Sequence, residues 1–176
     1  FKDFDNALLI WPDNPDILNN RGIVNQQLKK YENALKDFDR ALKLNPKDQK
    51  ALNNRGNTLK RMGRFRESVQ DYSKALYIDC KQVETLNNRG LSLEQLGQFD
   101  EALIDYDKAI SLKPDYAEPH FNKSLQKLLL GDFAEGWELY EWRWKTEQNI
   151  GKVLDSSKPI WSGQRDASVF LWAEQG

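Results

Sequence analysis

Histidine and cysteine each occur once in these 176 residues, as His120 and Cys80, and that scarcity removes several kinds of chemistry at the outset. One cysteine cannot close an internal disulfide, and the chain has neither a CxxC pair nor any zinc-ligand spacing. No apolar run is long enough to span a bilayer. Neither sign of charge dominates, with 26 Lys+Arg against 27 Asp+Glu and a formal net charge of -1, so the chain lacks the basic excess that generic nucleic-acid binding needs. The expectation is a cytoplasmic helical protein with no metal, no cofactor, no nucleic acid and no membrane as partner.

What the chain does have is repetition. Leu-Asn-Asn-Arg-Gly recurs at Leu18 to Gly22, Leu52 to Gly56 and Leu86 to Gly90, a period of 34 residues. On that register Gly22, Gly56, Gly90 and Ser124 form one small column, Ala34, Ser68, Ala102 and Gly136 a second, and Ala7, Ala41, Ala75 and Ala109 a third. Between the last two runs an aromatic column, Phe4, Phe38, Tyr72, Tyr106 and Tyr140. Another aromatic column, Tyr31, Phe65, Phe99 and Phe133, precedes the second helix of each unit, and Pro12, Pro46 and Pro114 close units, with Cys80 standing once for proline. Small residues let two helices approach closely, rings fill the space beside them, and proline ends the helix. A unit of this size cannot bury its apolar face alone, so the units stack into a solenoid whose long inner surface is available for binding.

Leu18-x-x-Arg21-Gly22, Ala34-x-x-x-Phe38 and Pro46 sit at the spacing of the tetratricopeptide repeat, and residues 1–146 resemble that family. The resemblance implies an all-α solenoid, a right-handed superhelix of antiparallel helix pairs with a short non-helical C-terminal tail. Helices are expected at 15–28, 31–44, 49–62, 65–78, 83–96, 99–112, 117–130 and 133–146. Residues 1–14 read as the second half of a truncated repeat and the start of a piece of a longer chain. Units follow at 15–48, 49–82 and 83–116, with a divergent fourth at 117–148.

No catalytic residue is expected. His120 falls in the packing column of Leu18, Leu52 and Leu86, and Cys80 reads as a substituted helix-terminating proline. Asp37, Asp71 and Asp105 each stand 16 residues after Arg21, Arg55 and Arg89, which predicts an ion pair inside each repeat. The fourth unit agrees with the pairing, since Lys123 replaces arginine where Leu139 replaces aspartate.

The binding signal is a ladder of Asn20, Asn54, Asn88 and Asn122, flanked by Asn19, Asn53 and Asn87. In tetratricopeptide proteins the first helix of each unit lines the concave groove, so by resemblance the ladder faces a protein or an extended peptide. An amide offers donor and acceptor together and pairs with peptide backbone without reading its sequence. The alternative is that some of these amides only tie adjacent helices together. The second unit adds Asn57, Lys60 and Arg61, which favours an acidic peptide there, whereas the third offers Glu84, Leu91, Glu94 and Gln95. Receptors of chaperone tails in this family clamp a terminal carboxylate with first-helix lysines and an asparagine one turn on. Here the corresponding stretch of the first unit carries Asn19 and Ile23, so that clamp is not expected.

The fourth unit departs from the pattern, with apolar Phe121, Leu125, Leu128 and Leu129 on its inner face and Trp137, Tyr140 and Trp144 on its second helix. Such a surface calls for cover. Ile160, Trp161, Phe170, Leu171 and Trp172 supply it if the tail folds back, or if the apolar tail mediates self-association. Residues 149–167 read as a linker and 168–176 as the first strand of an α/β domain. Gly131 to Arg143, Trp161-Ser162-Gly163 and Glu174-Gln175-Gly176 resemble bacterial tetratricopeptide proteins that continue into a glycosyltransferase-like domain. That resemblance implies a docking arm, itself without transferase activity, for a larger enzyme. The alternative is a structural self-association or assembly scaffold with no peptide ligand.

Overall fold

A computed structural model describes residues 2–147. The chain forms α1 (Lys2–Ile10), α2 (Pro15–Gln27), α3 (Tyr31–Leu44), α4 (Gln49–Arg61), α5 (Phe65–Ile78), α6 (Val83–Gln95), α7 (Phe99–Leu112), α8 (Ala117–Leu129) and α9 (Phe133–Tyr140), then a 3-10 helix at Glu141–Lys145. No strand occurs among the described residues, and no described helix is long and apolar enough to cross a membrane. The expected linker at 149–167, the strand at 168–176 and the capping residues Ile160, Trp161, Phe170, Leu171 and Trp172 lie outside the described residues.

Local chemistry sets the helix ends. The Asn14 side chain accepts from the amides of Asp16 and Ile17 at 3.0 and 3.1 Å, with Pro15 opening α2, and Asp48 does the same for Ala51 at 3.1 Å. Within each pair the turn passes through a left-handed residue: Gly63, Gly97 and Gly131 at φ of 74, 73 and 86°, and Lys29 at 58°. The next amide then reaches back to the helix end, as Arg64 N–H does to the Leu59 carbonyl at 2.9 Å and Lys30 N–H to Asn25 at 2.8 Å. Glycine adopts that conformation freely, whereas Lys29 is held in it by the same reach-back bond.

The small and aromatic columns are one contact. A Cβ on Gly22, Gly56 or Gly90 would stand 2.6, 2.7 or 2.5 Å from a ring carbon of Phe38, Tyr72 or Tyr106. Each ring therefore lies against bare backbone and holds its two helices close. Packing then continues between units: Leu8, Leu18, Ala41, Leu42, Ala51, Leu52 and Ala75 form one buried cluster spanning α1 to α5. Each helix contacts its chain neighbours, and beyond those α2 touches α4, α4 touches α6 and α6 touches α8. The backbones of α3, α5 and α7 stay further apart than those of the first helices, so the row of pairs curves with the first helices inside.

Helix bounds match the expected ones to within a residue until the last. There the α-helix stops at Tyr140 instead of running to 146, and the chain tightens into the 3-10 helix. Aromatic packing accounts for the change. The Trp142 ring stacks flat on His120, centroids 3.8 Å apart and planes 4° from parallel, while Arg143 lies over Tyr140 and Trp144. Thr146 is buried and bonds the Arg143 carbonyl, and Glu147 N–H donates to Glu118 at 3.2 Å, which pins the end against α8.

Candidate functional site

The arginine of every Leu-Asn-Asn-Arg-Gly copy is fully engaged. Arg55 donates from Nε and Nη2 to both oxygens of Asp71 at 2.6 and 2.7 Å, and from Nη1 to Asp39 at 2.6 Å. Arg21 grips Asp37 in the same way and reaches Asp5 at 2.9 Å. Arg89 grips Asp105 and reaches Ser73 Oγ at 3.1 Å. The expected bridge inside each repeat is therefore half of the arrangement. The other half ties the arginine to the second helix of the unit before, making it a bolt through three helices. Lys123 keeps the backward partner, Asp107 at 2.8 Å, and replaces the missing aspartate with Glu135 at 2.6 Å, one turn ahead of Leu139. The hydrogen bonds that Arg55 donates to the paired aspartates, Asp71 before Asp39, hold its guanidinium well above its ordinary pKa.

The asparagines on the inner helices divide. Asn19 and Asn87 are buried, and each accepts from the next unit's ladder residue: Asn54 Nδ2 donates to Asn19 at 3.0 Å and Asn122 Nδ2 to Asn87 at 2.8 Å. Asn53 accepts from the Thr85 hydroxyl at 3.0 Å, and Asn57 from the Tyr72 hydroxyl at 2.7 Å. These amides join unit to unit or helix to helix. Asn20 is exposed. Asn88 accepts from Lys60 Nζ at 2.6 Å, which leaves its NH2 group for a partner, and Asn54 keeps its side-chain oxygen.

Lys60 is the most unusual cation on this face. It is half-buried on α4, its ammonium meets the neutral Asn88 amide, and it forms no ion pair among the described residues. Burial, and then the neighbouring charge of Arg61, push its pKa down to about 8. Arg61 itself is exposed. One unit further, at the same register, Glu94 is half-buried on α6, and burial raises its carboxyl to about 7 against the opposing effect of Tyr106. The buried Tyr106 hydroxyl lies beside Glu94 and is the donor that opposes the rise. Sequence reasoning placed Lys60 and Glu94 in the groove but not their shared lack of counter-charge. The signal was their register, since positions 26, 60, 94 and 128 carry Gln, Lys, Glu and Leu.

His120 occupies its packing position: Nε2–H donates to the Pro114 carbonyl at 2.9 Å and the ring is buried against Trp142. Burial lowers its pKa. Among the described residues no group of three or more His, Cys, Asp and Glu could hold a metal ion. In the fourth unit Phe121 packs on Tyr140 with ring centroids 5.7 Å apart, whereas Leu129, Phe133 and Trp137 are 71, 61 and 59% exposed.

A curved row of helix pairs, bolted unit to unit and presenting one continuous inner face, defines a helical-repeat solenoid. The tetratricopeptide repeat model matches residues 15–48, 50–79 and 83–116, more than half of the chain, and the chain belongs to the tetratricopeptide repeat family. Its fold is similar to that of MamA from Desulfovibrio magneticus RS-1, with a TM-score of 0.76 at 18% identity, covering 84% of each chain. It is also similar to the first TPR of Spaghetti (RPAP3) bound to the HSP90 peptide SRMEEVD, with a TM-score of 0.65 at 20% identity over 66% of this chain and 93% of that one. The Arabidopsis OM64 TPR domain gives 0.63 at 25% identity over 64% and 93%. No curated protein matches the sequence.

Proposed function

We propose that this chain is a protein-binding module that holds an extended peptide along α4 and α6, with an acidic side chain of the peptide opposite Lys60 and Arg61. The observation that carries the reading is Lys60, a half-buried ammonium on the inner face that meets an amide and no carboxylate among the described residues. An incoming carboxylate would stabilise the charge that burial disfavours, while Asn54 and Asn88 have amide atoms left for the peptide backbone. Asn20, Asn122 and Asn57 extend the same face, and Asn19, Asn53 and Asn87 support it from beneath. The RPAP3 repeat domain of similar fold is bound to a peptide with two glutamates and an aspartate, SRMEEVD.

In the wider protein we assign the module the role of docking arm beside a glycosyltransferase-like domain, on the strength of the Trp161-Ser162-Gly163 and Glu174-Gln175-Gly176 motifs. The apolar fourth unit supports a second element of this proposal. Residues 160–172 would cover Leu129, Phe133 and Trp137, since Glu147 is held beside α8 and 13 further residues reach roughly 40 Å when extended. Deleting residues 160–176 should then lower the melting temperature or cause aggregation, and an unchanged, soluble truncation refutes the cover.

The groove is tested on a peptide array probed with wild type, Lys60→Met and the Asn54→Ala, Asn88→Ala double variant. Binding of acidic peptides should fall at least tenfold in both variants. Unchanged binding, or no peptide binding by the wild type, leaves the scaffold reading in place of this one.

A further inference from the structure

Tyr72 and Tyr106 hold the same place in successive units, each ring lying on the glycine of its own repeat, yet their hydroxyls end differently. Tyr72 donates to Asn57 at 2.7 Å. In the next unit Leu91 stands where Asn57 stood, and the hydroxyl of the fully buried Tyr106 lies against Glu94 instead. Glu94 lies beside it on the inner face, and its own predecessors show what it lacks. Gln26 reaches forward to Thr58 Oγ1 at 2.8 Å and Lys60 to Asn88 at 2.6 Å. The groups that would receive Glu94 in the fourth unit are already committed, Asn122 to Asn87 at 2.8 Å and Gln126 to the Phe99 carbonyl. Glu94 thus has the buried Tyr106 hydroxyl beside it and no ion pair among the described residues.

We propose that Glu94 and Tyr106 form a subsite for a cationic side chain, the ammonium of lysine or the guanidinium of arginine, on the peptide that the groove holds. The inference rests on the groove reading above and adds a second, oppositely charged contact to it. An ammonium or guanidinium supplies the counter-charge that Glu94 lacks, while the buried Tyr106 hydroxyl backs the carboxylate from inside the repeat. Leu91 one turn before Glu94, with Leu125 and Leu128 at the matching register of α8, give apolar surface to the methylene stem of such a side chain. Burial raises the pKa of Glu94, a cost that an incoming cation would offset.

Lys60 and Glu94 occupy one register on inner helices that touch, so their separation is roughly one helix-packing distance, about 8–10 Å. A polyproline-II-like peptide rises about 3.1 Å per residue and returns to the same face every third residue. The matching peptide carries one acidic and one basic residue three positions apart.

The test is an array of otherwise neutral peptides, each with one aspartate and one lysine, in both orders and at every spacing up to six. Wild type should prefer a spacing of three in one of the two orders, and replacing the lysine by alanine should weaken binding about tenfold. Glu94→Gln should bind the lysine and alanine peptides equally while still requiring the aspartate. A Glu94→Lys variant should reverse the preference and select a second acid at that position. If wild type requires the aspartate but is indifferent to the lysine, the cation subsite is wrong and the groove stands. If no peptide binds, both fall.

Discussion

The outer bolts and the inner face of this solenoid are built from the same residue types and treat charge in opposite ways. Arg21, Arg55 and Arg89 each meet a bidentate aspartate and a second oxygen on the preceding unit, so their charge is spent within the fold. Lys60 and Glu94, at one register on the other side of the same first helices, find only an amide and a hydroxyl and no opposite charge among the described residues. Folding has used the first set to space the units, and it leaves the second set for something that arrives later. Charge that is paired marks architecture here, and charge that is half-buried without a counter-ion is where the proposed binding is placed.

The contrast breaks most visibly at a bolt. Asp71→Ala leaves Arg55 half-buried with Asp39 alone, and urea denaturation should show a loss of about 3 kcal/mol. A loss below about 1 kcal/mol would mean that solvent replaces the aspartate and that the bolts are ornament.

The inner face should answer in the other direction. The folded-state pKa of Glu94, about 7, lies above its ordinary 4.5, so the folded chain holds that proton more tightly than the unfolded one. Its stability contribution is complete below pH 4.5 and is lost as pH rises through about 7. Glu94→Gln should therefore be more stable than wild type by ~1 kcal/mol at pH 8 and equal to it at pH 4. Thermal melts at the two pH values check this, and equal stability at both would place the carboxylate in water.

The smallest effect completes an imperfect bolt. Ser73 stands where Asp5, Asp39 and Asp107 supply the backward carboxylate, and Ser73→Asp should stabilise the chain by ~0.5 kcal/mol through Arg89. That gain should disappear in high salt.

The 34-residue register made the helix pairs, the glycine-to-ring contact and the forward half of each bolt legible, because all three lie inside one repeat and depend on one alignment. Asp39 as the partner of Arg55 was present in the same columns. Choosing the partner 16 residues back as well as 16 ahead requires knowing how unit stacks on unit, which periodicity does not encode. That some of the amides tie adjacent helices was an alternative the sequence left open, and which ones do so, Asn54 to Asn19 and Asn122 to Asn87, again depends on how the units stack. The early end of α9 follows from the ring stack of Trp142 on His120, a tertiary contact that overrides the helical run of the sequence. Lys29 in a left-handed turn was hidden too, because its column is glycine only in the later units.

The central claim, that the unpaired inner face receives a peptide, is tested most directly by following backbone and side-chain amide resonances while an acidic peptide is titrated into the labelled protein. The largest shifts should fall on Asn54, Lys60, Arg61 and Asn88, with Glu94 joining them when the peptide also carries a lysine three positions away. Shifts confined to the outer helices α3, α5 and α7, or to Leu129, Phe133 and Trp137 of the fourth unit, would contradict the account.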